Sequence, residues 1–256
     1  MTQSHTPDRL ELIAFLGFPQ IRAGDCLPEI VREAARDNNI EFADHDVLVV
    51  AQKIVSKAES RQRVIRDVVP SEKAISYARK TGKDPGIVEL ILQESTAVLR
   101  HSDSLLITEN RLGLVMANAG IDQSNIEDGY ALLLPEDPDR SAGEIRSHLQ
   151  QACGARVGVV VADSIGRAWR NGIIGHAIGV AGVVALLDLR GAADLHGRQL
   201  RVTEVAVADE IAAAASLLMG QAAEGKPVVL VRGFRNIEGG SSAKALLRKK
   251  EHDLFR

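Results

Sequence analysis

A mixed α/β (α+β) fold is the expectation for this chain, and three observations predict it. Short, largely apolar runs of strand length recur at Asp46 to Ala51, Val157 to Ala162 and Pro227 to Val231, the pattern of strands buried on both faces. Between them lie segments with helix-start signals and apolar residues three or four apart. No internal repeat and no linker rich in Pro or Ser divides the 256 residues, so one unit over 1–256 is expected. Strand order is not legible at this stage.

The elements follow in order. The first nine residues are polar and expected to fray. Leu10 to Leu16 reads as a short strand that leaves through a turn at Gly17-Phe18-Pro19-Gln20-Ile21. Asp25 followed by Pro28 signals a helix start, with Ile30, Val31 and Ala34 on one face. The strand Asp46 to Ala51 runs into a polar segment containing Gln52, Lys53, Ser56, Lys57 and Glu59. Asp84-Pro85 supplies an N-cap and an N1 proline for a helix carrying Ile87, Leu90, Ile91 and Glu94. Leu105 to Thr108 and Leu114 to Ala117 are apolar stretches, and the polar string Asn118 to Asn125 follows them. Ser141 with Glu144 has the form of a capping box for a helix ending near Cys153 and stopped by Gly154. Val157 to Ala162 is the clearest strand, and Asp163-Ser164 stands at its end. A glycine-rich stretch, Gly172 to Gly191, comes next. Around Thr203 an Ala-rich helix begins that ends at Gly220, and after the strand Pro227 to Val231 a basic helix is expected at Lys244 to Lys250.

Composition excludes several classes. Apolar residues are 45% and charged residues 25%, the balance of an ordinary globular protein. The longest apolar run, Ala177 to Leu187, is far shorter than the roughly 20 residues of a membrane span. No secretory leader pattern opens the chain, so a cytoplasmic protein is expected. With net charge −3, no basic cluster and 3% aromatics, neither a nucleic-acid footprint nor a base-stacking platform is present. Cys26 and Cys153 stand far apart and form no CxxC, which excludes a thiolate zinc site and a disulfide framework.

The chemistry-bearing residues are few. There is no GxxxxGK[ST], since Gly239-Gly240-Ser241-Ser242-Ala243-Lys244 lacks the spacing, and no GxGxxG after a strand. Gly172, Gly175, Gly179 and Gly182 recur every three or four residues, which fits close packing better than a phosphate cradle. Asp163 stands past an apolar strand, where α/β proteins hold ligand groups. Asp122 lies in an acceptor-dense turn suited to a hard cation. Taken singly, Asp122 fits an Asx-turn and Asp163 a helix N-cap better than a metal ligand, and Gln221 fits a solvated loop residue better than a site residue. Lys53 and Lys57 at i, i+4, and Arg167 and Arg170 after Asp163, are cation pairs that suit phosphate. A solvated charged surface explains each pair as readily. Seven scattered histidines show no HExxH spacing; His176 suits a hydrogen-bonded interior position, and Trp169 either a core anchor or a pocket wall. The residues alone indicate an enzyme using a metal and phosphate.

Several longer motifs carry a resemblance. They are Val47 to Glu59, Lys83-Asp84-Pro85 with Val88 to Leu92, Asn118-Ala119-Gly120-Ile121-Asp122 with Ser124-Asn125, Leu134-Pro135 with Asp137-Pro138-Asp139, Ala162-Asp163-Ser164 with Gly166-Arg167, and Ala177-Ile178-Gly179. In this order they resemble the coenzyme F-420-0:L-glutamate ligase (gamma-glutamyl ligase) family from about Leu16 to Gly233. The resemblance implies a GTP-dependent, amide-forming ligase that adds L-glutamate to coenzyme F-420-0 and then further gamma-linked glutamates through an acyl phosphate. It also implies a fold that is neither P-loop nor Rossmann, built as intertwined subdomains, and a homodimer. Some relatives carry a C-terminal nitroreductase-like domain, which is not expected here. By motif, Asp122 and Asp163 would bind a first divalent cation, Mg or Mn. Ser164, where relatives often have Thr, and Gln221 would help to bind a second, with K+ as a further cation. GTP contacts would come from Phe18, Pro19, Gln20, Ile21, Gln52, Lys53, Lys57, Asn125, Met219, Gly220, Gln221, Ala222, Ala223 and Glu224. Arg167 and Arg170 are expected to hold a carboxylate or phosphate of the deazaflavin substrate. A ligase of the same mechanism acting on another carboxylate, and a non-catalytic GTP- or metal-binding module, are the competing readings.

Overall fold

The computed structural model describes residues 9–234 and 242–254. The expected polar N-terminal stretch, apart from Arg9, and the Gly239-Gly240-Ser241 segment lie outside the described residues. The chain opens with β1 (Glu11–Ala14), α1 (Leu27–Asp37), β2 (Val47–Ala51) and α2 (Gln52–Ala58). It continues through β3 (Gln62–Val64), α3 (Glu72–Thr81), α4 (Pro85–Gln93), β4 (Ser95–Ser102), β5 (Leu105–Asn110), β6 (Val115–Ala117) and β7 (Tyr130–Leu132). Then come α5 (Pro138–Cys153), β8 (Gly158–Arg167), β9 (Arg170–Ala181), β10 (Leu187–Asp188), β11 (Glu204–Val205), α6 (Val207–Met219) and β12 (Val228–Arg232). The mix of helices with several sheets is the α+β architecture that the apolar runs predicted.

The main sheet has the order β1-β12-β2-β8-β9; only the β2·β8 pair is parallel. Its central strands are apolar throughout because both faces are covered. Leu48, Val50, Val159, Val161, Val228 and Leu230 face one core, with α1 and α5. Val47, Val49, Val160, Val229 and Val231 face another, against α6. A third core joins α3 and α4 to Leu106, Ala131 and Leu133. The Glu94 carboxylate ties this region down through Arg61 at 3.0 Å and Arg111 at 2.8 Å.

Several expected boundaries shift, each for a local reason. The first helix is capped at Cys26, one residue past Asp25, whose carboxylate instead accepts from the Arg22 N–H. The polar segment after β2 is itself a helix, α2. The Ser141–Glu144 pattern does not start α5. Asp137 caps it by accepting from Arg140 N, Pro138 takes its first turn, and the Ser141 hydroxyl donates back to the Asp137 carbonyl at 3.0 Å. The helix does end at Gly154, where φ is +75°. β8 passes straight through Asp163 and Ser164, paired with His176 and Gly175, so Asp163 is not a helix N-cap. The glycine-rich stretch begins as β9, α6 starts at Val207 rather than near Thr203, and the expected basic helix is two short 3-10 turns, Ala243–Leu246 and Lys250–His252.

Gly143 lies inside α5, and a Cβ there would meet nothing within 4 Å. Gly143→Ala should therefore stabilise the protein by about 0.5–1 kcal/mol, because glycine loses more backbone freedom on folding and nothing opposes the methyl. A melting temperature higher by roughly 2 °C is the expected reading, and a lowered one would mean that this face of α5 is covered.

Candidate active site

The parallel pair places the chemistry. β2 and β8 run in register to Ala51 and Ala162, and the next residues, Gln52-Lys53 and Asp163-Ser164, emerge side by side. Carboxyl ends of adjacent parallel strands are where open α/β sheets gather ligand groups. The loop after β6 delivers Asp122 to the same place. It turns through three consecutive positive-φ residues, Asn118 (51°), Ala119 (56°) and Gly120 (77°), a conformation disfavoured for side chains with a Cβ. The Asn118 side-chain oxygen accepts from the Leu106 N–H at 3.2 Å, and Asp122 forms an antiparallel bridge to Leu132.

Asp122 and Lys53 form an ion pair of 2.7 Å. The other Asp122 oxygen accepts from the Ser124 N–H at 2.6 Å, so the Asx-turn reading is correct alongside the clustering. Burial would raise the Asp122 carboxyl, but the hydrogen bonds from Lys53 and Ser124 outweigh it and hold it below its ordinary value of 3.8. Asp163 goes the other way. Burial pushes its carboxyl up to about 7; the Ser164 backbone N–H opposes the rise, Asp122 adds to it, and Lys53 and Gln52 oppose it. The Gln52 side-chain oxygen accepts from the buried Ser56 hydroxyl at 2.9 Å, which leaves its NH2 to face Asp163. Lys57 is pushed down by burial and by the neighbouring Lys53 charge, and it donates to the Asn125 carbonyl at 2.9 Å. Asn125 in turn donates to the Ala222 carbonyl at 3.0 Å. Ser164 donates to the Gln221 side-chain oxygen at 2.8 Å.

These contacts wall a cavity of about 460 Å³. Phe18, Pro19, Gln20, Ile21, Gln52, Lys53, Lys57, Asn125, Met219, Gly220, Gln221, Ala222, Ala223 and Glu224 all line it, together with Asp163 and Ser164. Segments as far apart in sequence as Phe18 and Pro227 thus meet around one space. Asp122 stands at its edge through Lys53. Ser216, Lys226 and Pro227 also line it, and no local pattern in the sequence marks them as site residues. Among the described residues no cysteine or histidine lines the cavity. His176 is half-buried, with Nδ1 3.2 Å from the Ile174 carbonyl. Arg167 and Arg170 do not join the cluster. They pair across the β8–β9 turn, outside the cavity lining, and Trp169 between them is 78% exposed rather than a core anchor.

The donor set suits a hard cation. Asp122 and Asp163 offer carboxylates, Ser164 a hydroxyl and Gln221 an amide oxygen, all oxygens of the kind Mg prefers. Among the described residues there is no cluster of three or more His, Cys, Asp or Glu able to cage a metal alone. Two carboxylates complemented by substrate phosphates are the usual Mg arrangement, and a carboxyl held near 7 beside a second carboxylate is a place that added positive charge would relieve.

No described helix is long and apolar enough to cross a membrane. The sequence model of the "F420-0:Gamma-glutamyl ligase" family matches residues 16–233. A protein of Methanothermobacter thermautotrophicus named "Coenzyme F420:L-glutamate ligase" is 45% identical over 249 residues, covering 96% of this chain and 99% of that protein. Proteins of the same name from Methanopyrus kandleri and Archaeoglobus fulgidus are 45% and 44% identical, over 93% and 97% of this chain and 94% and 97% of theirs. With a family match over most of its length and relatives of this similarity end to end, the chain belongs to the F420-0:gamma-glutamyl ligase family.

Proposed function

We propose that this protein is a GTP-dependent ligase that joins L-glutamate to coenzyme F-420-0, and then further glutamates by gamma linkage. The observation that carries the reading is the convergence of Asp122, Asp163 and Lys53 at the carboxyl end of β2, where its parallel pairing with β8 stops, on the rim of a cavity into which Lys57 also opens. A carboxylate is a poor acylating agent, so it must first be activated. In the proposed route an oxygen of the acceptor carboxylate attacks the γ-phosphorus of GTP, and the bond to the β-phosphate oxygen breaks to release GDP. The glutamate amine then attacks the acyl carbon, phosphate leaves with the bonding pair, and the ammonium proton goes to solvent.

Phosphoryl transfer asks for positioning and charge neutralisation rather than for a protein nucleophile, in keeping with a cavity whose described lining holds no cysteine or histidine. Lys57 and Lys53 supply cationic donors for phosphate oxygens. Gln52 holds the Asp163 carboxylate, Lys53 and Ser124 hold Asp122, and the loop from Met219 to Glu224 closes the cavity wall through Asn125. When bound at Asp122 and Asp163, with Ser164 and Gln221 toward a second site, Mg or Mn would neutralise charge on the transferred phosphoryl group; K+ belongs to the same proposal. A homodimer belongs to it too, and sedimentation at assay concentration reads that directly.

The experiment is a mass-spectrometric assay with coenzyme F-420-0, L-glutamate, GTP and Mg or Mn. Products heavier by one or more glutamyl units, with equimolar GDP, are the expected result. GTP binding with no product would favour a binding module. Glutamate transfer to other carboxylates but not to coenzyme F-420-0 would favour a different acceptor.

A further inference from the structure

A second cavity, of about 950 Å³, lies on the far side of the loop that presents Asp122. The two cavities share this loop as a partition, for Gln123 lines the second and Asn125 the first. The β-bridge fixes their spacing. Asp122 pairs with Leu132 at one end of β7, and Tyr130, at the other end, lines the second cavity beside Val64. Two residues of strand separate them, about 7 Å at ~3.4 Å per residue.

The walls of this cavity are fixed rather than loose. The first turn of α4 presses against residues 65–67 so closely that a Cβ on Gly86 would stand 2.9 Å from the Ile65 carbonyl oxygen. The Ile65 N–H donates to the Gly129 carbonyl at 2.9 Å. Four charged side chains line the space, Arg66, Lys83, Asp84 and Asp128. The Asp84 carboxylate is already used, accepting from the Gly86 and Ile87 N–H groups at 2.8 and 3.2 Å. The two cations and two carboxylates balance in charge, but the Asp84 oxygen is taken by the helix N–H groups and Arg66 stands 3.7 Å from Asp67. Lys83 is therefore the cation of this lining with no ion pair among the described residues, close to the half-buried Tyr130 ring.

We infer that this second cavity holds the body of the acceptor, an extended acidic molecule whose anionic group lies against Lys83 and Arg66 while its reacting carboxylate reaches past Gln123 to Asp122. The inference rests on the ligase reading and deepens it. The reaction joins three substrates, and the first cavity has the lining for the nucleotide. The remaining space is at the upper end of small-ligand cavities, far larger than an amino acid fills, so of the two remaining acidic substrates it suits the acceptor rather than the incoming glutamate. Lys83 is half-buried whereas the Arg66 side chain is 88% exposed beside Asp67, so Lys83 is expected to contribute the larger share.

The test is Lys83→Gln, with Lys83→Arg as the conservative variant and Lys80→Gln, on α3 over the Tyr77 ring, as a control outside the cavity. Lys83→Gln should raise the KM for coenzyme F-420-0 about tenfold, the loss of one charged hydrogen bond, with KM for GTP and for glutamate unchanged. Lys83→Arg should recover most of the loss. A raised KM for glutamate alone, or no change in any KM, overturns the inference while leaving the ligase reading in place. Absence of turnover by the unaltered protein overturns the ligase reading instead. Fluorescence titration of coenzyme F-420-0 against both proteins, without GTP or glutamate, then decides this cavity by itself: weaker binding by Lys83→Gln supports the inference, and equal binding or none by either protein overturns it.

Discussion

Asp163→Asn should abolish glutamate transfer, lowering kcat/KM by about 10³-fold or more, and yet should not destabilise the protein. The two halves of this result have one cause. The Asp163 carboxyl is pushed up to about 7, chiefly by burial and further by Asp122. For an acid whose folded value exceeds its ordinary 3.8, the stabilising share is full below about pH 4 and is lost as pH rises through about 7. Above that, the ionised group is a burden on the fold without a cation. Asparagine keeps the shape and a hydrogen-bonding oxygen for the Ser164 N–H and removes the charge, which is commonly neutral or stabilising for buried ionic groups. Melting curves at pH 8 in chelator should show Asp163→Asn at or above the unaltered protein. Addition of Mg with GTP should raise the melting temperature of the unaltered protein and leave the variant unmoved, by the linkage of binding to stability. An Asp163→Asn enzyme with undiminished kcat/KM would remove Asp163 from the chemistry.

The parts of the fold legible in the sequence were those set by burial. β2, β8 and β12 announce themselves because both faces of the sheet are covered, which leaves no polar alternation to confuse. The start of α5 differs from the sequence expectation because Ser141 and Glu144 match a capping pattern that the stronger Asp137-Pro138 pair pre-empts one turn earlier. The far half of β8 is held by pairing with β9, a tertiary contact that a run of polar residues and glycine does not reveal. This also explains the fate of Arg167 and Arg170. Their closeness to Asp163 in sequence suggested a shared site, but four extended residues carry Arg167 roughly 13 Å away from it. The cavity's residues come from six separate segments, so motif order, not local pattern, joins them. Lys226 escaped for the opposite reason: one lysine ahead of a strand carries no local signature.

Gly179→Ala should be among the most damaging single methyls in the described part of the protein, costing about 3 kcal/mol or more. β9 is the edge strand of the main sheet, and it is clamped between two helices rather than left open. The Ala177 and Val180 N–H groups donate to the carboxylates of Asp209 and Asp139, near the starts of α6 and α5, at 2.9 and 2.8 Å. A register shift between Ala177 and Gly179 turns the strand there, so that Gly175 meets α6 and Gly179 meets α5. A Cβ at Gly179 would stand 2.2 Å from the Pro138 carbonyl oxygen, and one at Gly175 2.3 Å from that of Ala212. Both obstacles are helix backbone, which cannot rotate aside as a side chain can. This is the close-packing reading of the glycine pattern, and it holds for Gly175, Gly179 and Gly182 but not for Gly172, which has open space. Thermal unfolding should place Gly179→Ala roughly 10 °C below the unaltered protein. Gly166→Ala, in β8 with nothing within 4 Å, should shift by no more than about 0.5 kcal/mol. Equal melting temperatures for the two variants would mean that β9 is not clamped. Because Gly175 also lines the first cavity, a loosened β9 would reach the candidate site directly, so under the proposed function residual folded Gly175→Ala protein should bind GTP more weakly than folded Gly166→Ala protein.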